Sequence, residues 1–330
     1  MRRRDFIKTA TLSTAALALE RVLPAGETPE RLKPASSSNA PVLLKRSYGK
    51  AGIQISIVGL PGLMLRKMEQ EHANRLVAEA VERGVNYFDV APAYGNAEIT
   101  MGPALQPYRK NVFLSCKTYQ RTREGMESEL KRSLERLKTD YFDLYQMHNL
   151  ADVKKDVDVP FSKDGAMETL MAAKKDGRIR HIGFSAHTVE AALAAMERYD
   201  FDSIMFPFNF ASYLKANFGP QVMEMARKKN ITRIAIKACI RGKWASDEER
   251  KRDKEYGYQW YQPLTSRQDL ELPLRFMLSQ PITTALSPSD ERLYRMALDV
   301  AMQYKPVTAD EEGKVKELAN AVAAPLFPQK

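Results

Sequence analysis

Apolar, strand-like runs that each end on a chemically active side chain constrain this chain more than any other feature. Asn86-Tyr87-Phe88-Asp89 ends on a carboxylate, Val112-Phe113-Leu114-Ser115-Cys116-Lys117 on an amine, and Phe142-Asp143-Leu144-Tyr145-Gln146-Met147-His148 on an imidazole. Tyr94 lies five residues after Asp89, in the turn Ala91-Pro92-Ala93-Tyr94-Gly95. Helical patterns fall between the runs. Residues 69–83 carry Leu76, Val77 and Ala80 on one face and stop at Gly84, and residues 123–138 form a second amphipathic helix. Later helices are expected over 167–175, 189–198, 222–229 and 274–279, with strands at 181–185, 203–208, 233–237 and 282–286. Such alternation argues for a parallel sheet with right-handed crossovers. Eight strands close into a barrel whose active site is assembled from the C-terminal strand ends. The expected fold class is therefore α/β, a (β/α)8 TIM barrel. Its first strand is expected at 55–59, sharing residues with an N-terminal β-hairpin over 45–57 that closes the barrel floor.

The four side chains form a coherent chemical set. A tyrosine hydroxyl can give a proton to a carbonyl oxygen as hydride reaches the carbon. Its ordinary pKa near 10 is high for exchange at neutrality, and lowering it by roughly three pH units needs about 4 kcal/mol of preference for the phenolate. A cation about 4 Å away at an effective dielectric near 20 supplies an amount of that order. Lys117 is the candidate cation, Asp89 would hold the ammonium in place at some cost to its effect, and His148 would hydrogen-bond the carbonyl oxygen or help move the proton.

This tetrad, with its spacing, resembles the aldo-keto reductase superfamily. The block 86–98, Asn-Tyr-Phe-Asp-Val-Ala-Pro-Ala-Tyr-Gly-Asn-Ala-Glu, is similar to the family segment joining the second strand to its helix. Ser133-Leu134-Glu135-Arg136-Leu137 with Asp140-Tyr141-Phe142-Asp143-Leu144 resembles the block before the histidine strand. Gly177-Arg178-Ile179-Arg180-His181-Ile182-Gly183-Phe184-Ser185 resembles the block around the fifth strand. The resemblance runs over residues 42–305 and implies hydride transfer between NADP (or NAD) and an aldehyde or ketone, or the corresponding alcohol.

It also implies where the dinucleotide sits. The family holds the nicotinamide amide with a Ser-Asn pair after the fifth strand and a Gln on the sixth; here Ser185 is present, Ala186 replaces the Asn, and Met205 stands before Phe206-Pro207-Phe208-Asn209 in place of the Gln. Each missing hydrogen bond is worth roughly 0.5–1.5 kcal/mol. Lys237 and Arg241-Gly242-Lys243 resemble the pyrophosphate-covering loop. Ser287-Pro288-Ser289-Asp290, followed by Arg292 and Arg295, stands where the family binds phosphate, with helix N-terminal amides available to it. The expected cofactor contacts are thus Ser185, Asn209, Lys237, Gly242, Lys243, Ser287 and Arg292, and grip is expected from the phosphate end. The substrate is a small carbonyl compound or a sugar. The aromatic run 256–262 either stacks on it or folds back on the barrel. Two other readings remain open: a sugar-modifying oxidoreductase with a tightly held cofactor, and a non-catalytic barrel binding protein.

Arg2-Arg3-Arg4-Asp5-Phe6-Ile7-Lys8, followed by the uncharged stretch 9–19, reads as a secretory signal. The stretch is shorter than the roughly 20 apolar residues of a spanning helix, so no stable membrane span is expected. The Arg3-Arg4 pair with Phe6 and Lys8 resembles a twin-arginine export signal. The expected organisation is a signal at 1–25, a linker rich in Pro, Ser and Ala at 26–41, and one barrel at 42–330 including a helical tail from 308 to 326. The expected location is the periplasm, with the twin-arginine export machinery as a partner, or a membrane anchored by an uncleaved signal. An exported nicotinamide enzyme cannot count on a free cofactor pool and needs to carry its dinucleotide tightly.

Composition fits one enzyme domain: 330 residues, 44% hydrophobic, with a net charge of +10. A mildly basic surface suits an anionic cofactor; no nucleic-acid motif accompanies it. Two cysteines, Cys116 and Cys239, are too few for a cysteine-ligated iron–sulfur cluster. The histidines show no metal-ligand spacing.

Overall fold

The computed structural model describes residues 42–49 and 52–328; the expected signal and linker lie outside them. Two short antiparallel strands come first, β1 (Lys45–Tyr48) and β2 (Ile53–Ser56). Eight parallel strands then close into a barrel: β3 (Val58–Pro61), β4 (Tyr87–Asp89), β5 (Phe113–Thr118), β6 (Phe142–Leu150), β7 (Ile179–Ala186), β8 (Ser203–Phe206), β9 (Thr232–Ala235) and β12 (Thr284–Leu286). Each pairs with the next in chain order, and β12 closes the ring between β9 and β3. The remaining pair, β10 (Ile240–Gly242) and β11 (Gln262–Pro263), lies outside the barrel after β9. The (β/α)8 architecture and its N-terminal hairpin are therefore as expected from the sequence.

Helices cover the outside: α1 (Gln70–Glu82), α2 (Ala97–Leu105), α3 (Arg123–Leu137), α4 (Val159–Phe161), α5 (Ala166–Lys175), α6 (Val189–Arg198), α7 (Phe210–Leu214), α8 (Pro220–Lys228), α9 (Asp247–Arg252), α10 (Arg267–Ser279), α11 (Glu291–Met302) and α12 (Ala309–Ala321). Several start on side-chain caps. Thr122 accepts from Gly125 N at 3.3 Å and Thr188 from Ala191 N at 3.3 Å, each satisfying an amide left free by the helix start.

Among the boundaries that differ from the sequence reading, three have a clear physical cause. The first barrel strand begins at Val58, because Ile53–Ser56 is fully used in the hairpin and Ile57 N turns back to Leu44 O at 3.0 Å. Helix α10 begins at Arg267 rather than 274: Pro273 sits inside it, and burial of Leu270, Pro273 and Leu274 outweighs the one hydrogen bond the proline removes. Strand β9 ends at Ala235, which leaves Lys237 in the following turn with φ +67°.

Alternation along each strand separates two cores. Inward-facing Tyr87, Phe113, Leu144, Met205, Ile234 and Leu286 fill the barrel together with Tyr48 and Ile55 of the hairpin. Tyr48 is fully buried, its ring 4.7 Å from Phe113 and 5.0 Å from His181, so the hairpin seals the N-terminal end. Outward-facing Phe88, Leu114, Cys116, Tyr145, Met147, Ile182 and Phe184 pack against the helices.

The floor is tied by a polar cluster. Buried Asp143 accepts from Arg109 Nη1 and Arg180 Nη1, both at 2.9 Å, and from Leu114 N at 3.0 Å. The two guanidinium groups lie 4.0 and 3.9 Å from the Tyr141 ring centroid. Removing one partner of a buried ion pair leaves an uncompensated charge. Asp143→Ala is expected to destabilise the protein by about 3 kcal/mol, read as a lower denaturant midpoint with unchanged slope.

Candidate active site

Asp89, Lys117 and His148 come from the C-terminal parts of three consecutive strands, β4, β5 and β6, and face inward by the same two-residue alternation that buries Tyr87, Phe113 and Leu144. Tyr94 joins them from the loop after β4. Its N–H bonds to Ala91 O at 3.0 Å, and Gly95 follows at φ +60°, a conformation the tight turn requires and glycine adopts freely. All four line one cavity of about 720 Å³ at the C-terminal mouth.

Lys117 Nζ donates to Asp89 Oδ2 in a buried ion pair, and Ser115 Oγ donates to Asp89 Oδ1 at 3.2 Å. Gln146 Nε2 donates to Ser115 Oγ at 2.8 Å, so a chain of two side chains behind Asp89 fixes the carboxylate. The Lys117 ammonium sits 5.1 Å from the Tyr94 ring centroid. The Tyr94 and His148 rings meet edge to face at 5.9 Å, and Tyr119 stacks on the other side of His148 at 4.2 Å. Arg121 Nη2 donates to His148 O at 2.7 Å, holding the strand end.

The electrostatics differ from the sequence reading in one respect. Burial pushes the Tyr94 hydroxyl up to about 12, outweighing the lowering by Lys117. Tyr94 is therefore a protonated phenol at neutral pH. Burial pulls the Lys117 ammonium down, but Asp89 and Tyr94 more than compensate, so it stays charged. Burial, then the Lys117 field, pushes His148 down to about 2, so its imidazole is neutral. Its Nδ1 has no hydrogen-bond partner among the described residues.

The expected cofactor residues divide into two groups. Ser185, Lys237 and Ser287 line the cavity. Asn209 is buried and engaged elsewhere: Nδ2 donates to Lys237 O at 3.0 Å and Ile240 O at 2.6 Å, and Oδ1 accepts from Ala211 N and Ser212 N, both at 3.1 Å. Gly242 packs against Ala324 O, where an added Cβ would stand at 2.4 Å, and Lys243 is exposed outside the cavity lining. Arg292 pairs with Glu255 and Asp290, and the Asp290 carboxylate caps α11 by accepting from Arg292 N at 3.0 Å and Leu293 N at 3.2 Å.

At the other end of the cavity the donors fit a carboxamide. Ser185 Oγ accepts from Asn149 N at 2.8 Å, which leaves its own hydrogen free to donate. Asn149 has φ +60° and its Oδ1 contacts His187 Nδ1, while its Nδ2 has no partner among the described residues. Ala186 points into the outer core, whereas Met205 lines the cavity. The sequence reading missed Asn149 and His187. The signal was the polar pair immediately beyond His148 and Ala186.

The aromatic run is partly wall and partly packing: Tyr258, Trp260 and Tyr261 line the cavity, and Tyr258 Oη donates to Asp290 Oδ2 at 2.9 Å. The chain after α12 returns to the same mouth, where Phe327 stacks between His187 at 5.7 Å and Phe218 at 5.2 Å. Cys116 and Cys239 are buried free thiols. Among the described residues no group of three or more His, Cys, Asp or Glu side chains is arranged to hold a metal, and no helix is long and apolar enough to cross a membrane.

Comparison with known proteins agrees with this geometry. The chain is 32% identical over 179 residues to "Uncharacterized oxidoreductase YqkF" of Bacillus subtilis (strain 168), covering 50% of this chain and 56% of that protein. It is 28% identical over 169 residues to "L-galactose dehydrogenase" of Arabidopsis thaliana, covering 46% of this chain and 51% of that protein. The chain thus spans about half the length of these curated relatives. The solved "aldo-keto reductase AKR11C1 from Bacillus halodurans (holo form)" has a TM-score of 0.67 at 21% identity, covering 87% of this chain and 99% of that one, a likeness of fold. The model of the Aldo/keto reductase family matches residues 57–288, from the start of the barrel to the loop after its last strand, and the chain belongs to that family.

Proposed function

We propose that this protein is an oxidoreductase that moves a hydride between a nicotinamide dinucleotide and a carbonyl/alcohol pair. The observation that carries the reading is the convergence of a protonated Tyr94, the Lys117–Asp89 pair and a neutral His148 on one cavity at the barrel mouth. When bound, the dinucleotide supplies or accepts the hydride. Tyr94 gives its proton to the carbonyl oxygen in reduction, and Lys117 stabilises the phenolate left behind. Asp89, held by Ser115, keeps the ammonium in place. His148, neutral and flanked by Tyr119, hydrogen-bonds the same oxygen. Ser185 and Asn149 would hold the carboxamide of the nicotinamide.

The sequence reading leads with NADP; the pairing of Arg292 with Glu255 and Asp290 instead supports NAD. Glu255 and Asp290 already neutralise Arg292, and two carboxylates beside a 2′-phosphate repel it. In Glu255→Gln, affinity for NADP should rise relative to NAD; equal ratios in the two proteins, measured by fluorescence titration, would reject this assignment.

The N-terminal Arg3-Arg4 pattern supports export of the folded protein by the twin-arginine route. Replacing both arginines by lysine should leave the full-length protein in the cytoplasm, as read by cell fractionation. Undiminished export would remove this localisation.

Tyr94→Phe keeps the ring and removes the donor. Carbonyl reduction should fall by a factor on the order of 10² or more, with dinucleotide binding little changed. Near-normal turnover by this variant would rule out the mechanism.

The histidines give a further check. His148 is pushed down to about 2 by burial and the Lys117 field, and His187 to about 4 by burial and Lys237, against an ordinary 6.5. Below about pH 6.5 the unfolded chain takes up protons that the folded chain refuses, so both residues make stability fall on acidification. Ring resonances of both should show no titration between about pH 5 and 8, and a mid-range titration of His148 would contradict its neutral role.

A further inference from the structure

Strand β6 breaks its alternation at His148. Met147 and Leu150 pack in the outer core, as Phe184 and Ala186 do on β7, yet His148 and Asn149 both line the cavity. The pairing gives the cause. Met147 lies opposite Phe184 and Leu150 opposite Ala186, so two residues of β6 stand against the single Ser185 of β7. This is a β-bulge, in which one extra residue bends the strand and re-aims a side chain. Asn149 takes φ +60° within it.

A bulge disrupts the ladder locally, and backbone groups there need other partners. Two side chains serve this one. Ser185 Oγ accepts from Asn149 N at 2.8 Å. On the other side, Arg121 Nη2 donates to His148 O at 2.7 Å and Nη1 to Thr118 O at 3.4 Å, so one guanidinium spans the ends of β5 and β6. Arg121 is itself held. Its Nε donates to Asp156 Oδ1 at 3.1 Å, and Asp156 Oδ2 accepts from Ala151 N and Asp152 N, both at 2.9 Å. Asp156 lies in a π-helical turn, Val153–Asp158, a rare conformation that often marks functional sites. The two side chains are only 13% and 21% exposed, so salt screens the pair weakly.

We propose that Arg121 and Asp156 are positioning residues, which hold the bulge that turns Asn149 into the cavity beside His148. The inference rests on the nicotinamide reading above, in which Asn149 and Ser185 hold the carboxamide, and adds what places Asn149 there. Asparagine enters the left-handed region more readily than most residues, but still at a cost. Without a donor on the carbonyl before it, the strand can relax to regular pairing. Period two then turns Asn149 toward the helices.

The test titrates the full chain, Arg121→Met, Asn149→Ala and the double variant with NAD and with ADP-ribose, which lacks the nicotinamide. NADP and its counterpart without nicotinamide are run in parallel. Arg121→Met should weaken dinucleotide binding about threefold to tenfold, the loss of roughly one hydrogen bond, and leave ADP-ribose binding unchanged. In the Asn149→Ala background the same substitution should add no further loss, because Arg121 acts through Asn149. Equal losses on both ligands, unchanged dinucleotide affinity, or a full additional loss in the Asn149→Ala background each overturn the proposal. If Arg121→Met does not fold, Arg121→Lys takes its place. It keeps the charge without the fork, so a smaller loss confined to the dinucleotide is expected, and no loss overturns the proposal. If the unmodified protein binds no dinucleotide, the reductase reading fails separately. Nuclear Overhauser contacts between Asn149 and Ser185 then decide: their loss in Arg121→Met, or in Arg121→Lys where that stands in, keeps the positioning role, and their retention rejects it.

Discussion

The arrangement of the mouth depends on one buried ion pair, Lys117 with Asp89. Withdrawing each ion from water costs several kcal/mol, which the pair recovers only with good geometry and further hydrogen bonds. Adjacent parallel strands supply the geometry, and Ser115, backed by Gln146, supplies the additional hydrogen bond to the carboxylate. The pair leaves a fixed ammonium in a region of low dielectric. Its field disfavours protonation of His148 and Lys237 and favours ionisation of Tyr94, which burial opposes. Burial sets the protonation states around the pair, and the pair's field reinforces burial at His148 and Lys237 and opposes it at Tyr94.

Much of this was legible in the sequence because strand alternation is local. The positions of Asp89, Lys117 and His148 at strand ends follow from period-two patterning, and helices such as Val189–Arg198 follow from their caps and apolar faces. Period two also places Ser115 and Gln146 inside the barrel, yet serine and glutamine carry no signal until a partner is known. The rest depends on contacts distant in sequence. Arg292 reads as a phosphate ligand until Glu255, far away along the chain, is found against it. Asn209 reads as a cofactor contact until its amide is found holding the Lys237 turn. The direction of the Tyr94 shift requires knowing how deeply the phenol is enclosed. The Pro273 boundary failed because tertiary burial overrode a local rule.

The barrel separates stability from chemistry along its axis. At the floor, Asp143 joins two arginines that both lie over the Tyr141 ring, and all three charges of this cluster are paired. At the mouth polar groups are left incompletely matched: His148 Nδ1, Asn149 Nδ2 and the Lys237 ammonium lack partners among the described residues. Unsatisfied polar groups are costly in a packed interior, and these three belong to residues that line the cavity, where a ligand can satisfy them.

The hairpin seal has a kinetic consequence. Tyr48 and Ile55 block the far end of the barrel, so the cavity opens on one side only. A blind chamber imposes a queue. Whatever lies deepest must arrive first and depart last, and a second molecule seated above it works as a stopper. A molecule held at the bottom can leave only when the space above it is clear.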